Sequence, residues 1–322
     1  MKHNPNYSGD SLESMIQVLG SKEYGASKLA FSVAQYLELD RILFSQPVEW
    51  REDALAMVIG KLIFSLKGQS LMNVSSDTML WELCGYSPDK KPELNKNWYN
   101  PLVELLCNKE CIQESLITKH LRNKTAILFD LTLWDEALES EKVHAGLLTN
   151  TEGCPIGIEF FSEHGMQNQI EALLKTYQFT SIFVVSDTHT SFKKEIELIK
   201  LVTPAQFVKN NLQEIYPGSF DSAITFQRTQ QISQKESFNA CLFLDMLACY
   251  LEWHIKKQME SYFQEQGKTK PSHWSLSYII ERMKCVRSQI LKIENNFGHA
   301  ISELDSEQSE MISIFGLKPE DF

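Results

Sequence analysis

Two short apolar runs, each carrying an aspartate, constrain this chain more than any other feature. The first is Ala126-Ile127-Leu128-Phe129-Asp130-Leu131-Thr132 and the second is Ser181-Ile182-Phe183-Val184-Val185-Ser186-Asp187. Each is brief, continuous and rich in branched and aromatic residues, the pattern of a buried strand. An acid there carries a large desolvation penalty unless it is paired, hydrogen-bonded or bound to a cation. Two such acids on neighbouring strands would suit a shared divalent ion, the basis of metal-dependent phosphoryl chemistry.

The surrounding pattern gives these strands a context. Val143–Thr149 and Pro155–Phe161 read as two further strands, and the turn Asn150-Thr151-Glu152-Gly153 between them suits a hairpin. Gln167 to Tyr177 is amphipathic at helical spacing, and residues 190–202 read as another helix. The resulting order, β-β-β-α-β-α, predicts an antiparallel meander of three strands. A right-handed crossover then lays strand four parallel to strand one. That is the order of the ribonuclease-H-like fold, and it would bring Asp130 and Asp187 to one edge of the sheet.

Residues 1–122 read as a helical N-terminal region, a DNA-binding candidate, with one helix from about Pro101 to His120. Residues 123–264 hold the α/β core. A strongly apolar helix from about Asn239 to Phe263 should pack on the sheet, broken after it by Gly267 to Pro271. Residues 265–322 read as a helical C-terminal region with an acidic tail, including an amphipathic helix over 274–293.

Charge and cysteine content narrow the class. With 31 Lys and Arg against 42 Asp and Glu, the net charge of −11 argues against a strong non-specific nucleic-acid binder. The distribution is uneven: residues 256–292 hold eight Lys/Arg against three Glu, and residues 294–322 hold seven acids against one Lys. Lys256, Lys257, Arg282, Lys284 and Arg287 are candidates for phosphate contacts or, equally, for a solvated helix face. Seven scattered cysteines fit a reducing compartment, so a cytoplasmic protein is expected, nucleoid-associated when on DNA and with no membrane partner. Cys107 and Cys111 lie four apart on the expected 101–120 helix and read as buried thiols.

In co-linear order, four segments resemble the DDE transposases of bacterial insertion sequences. Leu128-Phe129-Asp130-Leu131-Thr132 is similar to the strand carrying that family's first aspartate. Gly146 to Ile156 is similar to its second and third strands, and Val184-Val185-Ser186-Asp187 to the strand ending in its second aspartate. Phe243-Leu244-Asp245-Met246-Leu247-Ala248-Cys249-Tyr250-Leu251-Glu252-Trp253 resembles its C-terminal helix. The resemblance spans most of the chain. It implies an α/β, ribonuclease-H-like mixed sheet flanked by helical regions, and cut-and-paste transposition. Asp130, Asp187 and Glu214 are the implied catalytic and metal-binding acids, holding Mg²⁺ or Mn²⁺. Transposon ends and target DNA are the implied partners, and a homodimer the implied assembly.

The chain also departs from the family pattern. Thr188-His189-Thr190 follows the second aspartate where the family has Arg-Gly-Met or similar. Only residues 188–213 separate Asp187 from Glu214, where the family carries a long β-rich insertion. Pro217-Gly218 would end a helix at Glu214, and the family's basic neighbours are missing there. These departures imply an alternative: a catalytically inactive, internally deleted or repurposed derivative that keeps the fold, with or without DNA binding. Each residue also has a purely structural reading. Asp130 would cap a turn with Thr132, Asp187 would cap a helix starting near Ser191, and Glu214, His189, Glu136 and Glu139 would be solvated loop residues.

Overall fold

In the computed structural model, the described residues are 16–64, 77–85, 99–122, 124–134, 142–161, 166–185, 198–202, 234–293 and 296–322. Ile16–Glu23 forms β1, and its last residue starts the next element. The buried Glu23 carboxylate accepts hydrogen bonds from the backbone N–H groups of Ala26 (2.8 Å) and Ser27 (3.1 Å). It thereby satisfies two orphan donors at the start of α1, Gly25–Tyr36. The hydroxyls of Ser27 and Thr78 complete its shell. Gly25 is required by close approach: a Cβ there would lie 2.4 Å from the Met283 carbonyl oxygen.

Short helix α2, Leu39–Leu43, leads to α3, Glu49–Phe64, whose residues from Ala54 onward are all buried. The one-turn helix α4, Leu80–Leu83, follows. The single helix expected over 101–120 is two, α5 at Tyr99–Cys107 and α6 at Lys109–His120. The break has a local cause. The Asn108 side-chain amide donates to the Glu104 carbonyl at 2.8 Å, sharing the acceptor of its own helical N–H, the local side-chain bonding that makes Asn a poor residue for a helix interior. Cys107 and Cys111, expected as buried thiols, are exposed.

The central sheet is built from β2 (Thr125–Trp134), β3 (Lys142–Thr149), β4 (Pro155–Phe161), β5 (Ser181–Val185) and β6 (Ile199–Val202), with α7 (Met166–Thr176) between β4 and β5. Its spatial order is β4-β3-β2-β5-β6. The first three strands are an antiparallel meander, and β5 pairs parallel with β2 and β6 parallel with β5. The β6 segment falls where a helix over 190–202 was expected. Ile199-Lys200-Leu201-Val202 is a short apolar run, and periodicity alone cannot separate strand from helix at that length. Residues 190–197 lie outside the described residues.

Helix α8, Gln234–Glu265, organises the core. Its 32 residues span about 48 Å at the usual rise. Phe243, Met246, Leu247, Tyr250, Leu251 and Ile255 are buried along it, between α3 and α5 on one side and β4 on another. The expected helix over 274–293 is shorter: α9 covers Leu276–Met283, and Arg287–Ile293 is strand β7. Its partners are β8 (Asn296–Ile301) and, antiparallel, β1 from the other end of the chain, giving a second sheet ordered β1-β7-β8. The two end regions expected to be helical therefore share a sheet. Helix α10, Ser306–Ser313, is started by a capping box between Asp305 and Gln308. It brings Met311 and Ile312 into the core. No helix among the described residues is long and apolar enough to cross a membrane.

Candidate functional site

The strand pair β2/β5 is where the expected carboxylates bear on the fold. Backbone register runs from Thr125 opposite Ser181 to Phe129 opposite Val185. Ile127, Leu128, Ile182 and Val184 are almost fully buried, so both strands run through the core as their composition demands. Asp130 continues β2 and pairs in register with Gly146 of β3. Gly146 is again a position of close approach: a Cβ there would lie 2.7 Å from both Leu128 Cδ1 and Phe161 Cε2. Asp187 follows the last described residue of β5 by two positions, and Asp187, His189, Glu136, Glu139 and Glu214 lie outside the described residues.

The basic segment 256–292 is largely engaged within the chain. Arg282 pairs with Asp305, and its Nε donates to Glu307 Oε2 at 2.9 Å. Glu307 also accepts from Trp274 Nε1 (3.2 Å) and the Tyr278 hydroxyl (2.9 Å). Lys256 pairs with Glu252, Lys284 with Glu281, and Arg287 donates to the hydroxyl and carbonyl of Ser21. Lys257 lies over the Trp253 ring, 5.9 Å from its centroid. Asp305 and Glu307 of the acidic tail thus pair with Arg282 of the basic segment.

The N-terminal helices carry a cleft of about 440 Å³ lined by Glu49, Trp50, Asp53, Asn100, Val103 and Glu104. It is acidic. Burial, followed by the charges of Glu49 and Glu52, pushes the Asp53 carboxyl up to about 7. A buried ion pair joins two helices nearby: Lys61 Nζ of α3 sits 2.7 Å from Asp245 Oδ1 of α8. Burial outweighs the attraction of Lys61 and raises the Asp245 carboxyl to about 6.

A further feature comes from residues that no linear motif connects. His120 closes α6, Cys154 sits in the β3–β4 turn, and His254 lies on α8. Each offers one ligating atom, and these three atoms all lie within 4.8 Å of one another. Cys154 Sγ is 3.8 Å from His254 Nε2. The Tyr250 hydroxyl, one turn before His254, is 2.9 Å from His120 Nε2. Asn150 ties the turn to the helix end. Its Oδ1 accepts from the N–H groups of Glu152 and Cys154, and its Nδ2 donates to the His120 carbonyl. Cys154 is fully buried and both imidazoles are half-buried. Burial, with help from Lys119, holds the His120 imidazolium down to about 4. Burial, His120 and Lys119 hold that of His254 to about 3. Burial raises the Cys154 thiol and the Tyr250 phenol. Both imidazoles are therefore neutral at pH 7. Among the described residues this is the group of donors arranged to hold a metal ion, and its nitrogen and sulfur atoms are not those that Mg²⁺ selects.

Comparison with known proteins finds no matching family model, no matching curated protein and no matching solved structure.

Proposed function

We propose that the chain is built on a ribonuclease-H-like core of the DDE-transposase type and acts on DNA by metal-dependent phosphodiester hydrolysis and strand transfer. One observation carries the reading: the sheet order β4-β3-β2-β5-β6, with an antiparallel meander followed by two parallel returns. That order makes β2, which holds Asp130, the direct neighbour of β5, which leads to Asp187. The proposed donor set of Asp130, Asp187 and Glu214 consists of carboxylates, the hard oxygen ligands that suit Mg²⁺ or Mn²⁺. When bound, such ions supply a water of lowered pKa and charge stabilisation at the attacking and leaving oxygens. The acids' own part would be to hold that charge where the phosphodiester is aligned for in-line attack.

The second reading is a derivative that keeps the core but has lost catalysis. The short Asp187–Glu214 interval and Pro217-Gly218 favour it. So does the basic segment, whose Arg282 and Lys284 are paired within the chain.

One assay separates the two readings. The protein is incubated with Mn²⁺ and duplexes carrying the ends that flank its own gene. Cleavage abolished by Asp130→Asn and by Asp187→Asn supports the active reading. Absent cleavage with millimolar Mn²⁺ still binding in a titration, and binding lost in Asp130→Asn, supports the inactive derivative. No Mn²⁺ binding at all removes the active reading and any surviving metal site, leaving only a derivative that keeps the fold.

A further inference from the structure

The geometry points to a second, soft-metal site: His120, Cys154 and His254 bind one Zn²⁺ at the junction of α6, the β3–β4 turn and α8. The donors decide the class of ion. Two imidazole nitrogens and a thiolate are a set that zinc takes readily and Mg²⁺ does not. The spacing is close to what a bound ion needs. Zn–N distances of about 2.0–2.1 Å and Zn–S of about 2.3 Å in a tetrahedron put neighbouring donors roughly 3.3–3.6 Å apart. The observed Sγ to Nε2 distance is 3.8 Å, and all three donors fall within 4.8 Å of one another, so closure needs movements of about an ångström or less.

The surrounding shell is built to hold the donors in place. The Tyr250 hydroxyl fixes the His120 ring, and Asn150 fixes both the turn that carries Cys154 and the carbonyl of His120 itself. Such outer partners orient ligands and tune their affinity. The ammonium of Lys119, the nearest cation in sequence, is committed to the Leu37 carbonyl at 2.6 Å. Three protein donors leave a fourth position for a water or another ligand. This site shares no residue with Asp130, Asp187 and Glu214, so it stands or falls separately from the phosphodiesterase reading.

The bound ion would cross-link elements 34 and 100 positions apart in the chain, and its main effect would be to clamp the helical N-terminal region to the sheet and to α8. The test uses the full chain and Zn²⁺ alone, with no DNA. Calorimetric titration is expected to show one Zn²⁺ per chain. At about 100-fold excess over Kd, linkage predicts a rise in Tm of roughly 3–6 °C. Co²⁺ substitution is expected to give thiolate-to-metal charge transfer and tetrahedral d–d bands. Cys154→Ser and His254→Gln should each weaken Zn²⁺ binding roughly 100-fold or more, since each removes a first ligand.

Unchanged affinity in either variant, or no charge-transfer band in the wild-type chain, overturns the proposal. Should Cys154→Ser not fold, the chain with Cys107, Cys111 and Cys285 all replaced by Ser decides the matter. Retention of the band and of one Zn²⁺ per chain upholds the site, and their loss assigns the metal to exposed thiols and refutes it.

Discussion

Asp53 shows how a few ångströms of helix surface set the response of the molecule to pH. It shares the acidic cleft with Glu49 and Glu104, and its carboxyl is raised to about 7 from 3.8. The native state therefore binds a proton that the unfolded chain releases at lower pH. The stability linked to that proton is fully present below about pH 4 and is lost as pH rises to about 7. Asp53→Asn is expected to raise Tm at pH 8 by roughly 1–3 °C, a modest figure because the group is partly solvated, and to change nothing at pH 3.5. Thermal melts of both chains across this range check it. The same scale shows what a linear reading cannot see. Asp130 and Asp187 stood out because each is an acid in an apolar run. His120, Cys154 and His254 did not, because their donors converge only once a helix end, a turn and a long helix have packed. The single local hint was His254, a polar residue within the apolar run Cys241–Ile255.

At the scale of elements, α8 carries most of the consequences. Its buried Asp245 holds Lys61 of α3, and both side chains are nearly sealed from solvent. Asp245→Asn removes the counter-charge of a buried ammonium and should lower unfolding free energy by about 3–5 kcal/mol. Replacing both members together, with Asp245→Leu and Lys61→Met, should recover most of that loss or improve on the parent. Urea denaturation of Asp245→Leu, Lys61→Met and the double isolates the coupling. Helix α8 was also the element most legible in the sequence, since its length and apolar density admit no other reading. The meander and the parallel return of β5 were legible for a related reason: each strand is a distinct run bounded by turn chemistry. The failures share a cause. Residues 199–202 and 287–293 are short segments compatible with either period, and their pairing with β5 and with the sequence-distant β1 decided the outcome. The break at Asn108 turned on one side chain binding the carbonyl of Glu104.

At the scale of the whole molecule, the C-terminal segment is part of the fold and not an appendage. Residues 294–322 contribute β8 and bury Met311, Ile312 and Ile314, while Glu307 gathers donors from Trp274, Tyr278 and Arg282. Their charge suggests that deletion would expose a DNA-binding face. The packing instead predicts that deletion unfolds or aggregates the protein, visible as a lost cooperative melt. The electrostatic question is better asked with Glu303→Gln and Glu320→Gln, two exposed acids whose neutralisation leaves the core intact. If the acidic balance restrains DNA binding, this pair should strengthen gel-shift affinity for a random duplex at low salt, and the gain should vanish at high salt.

The β1–β7 pairing also sets a timetable. Arg287 meets Ser21 across 266 positions of chain, and among the described residues β1 is an edge strand whose one strand partner is β7, with Glu23 alone also bridging to Thr78. At the usual 5–20 residues per second, the partner of β1 is synthesised roughly 13–50 s after β1 itself. For that interval the exposed Val18 and Leu19 and a row of open backbone donors and acceptors have no native neighbour. The nascent chain must be kept from pairing this strand with another copy, and in refolding followed by pulsed hydrogen exchange the amides of β1 should gain protection last.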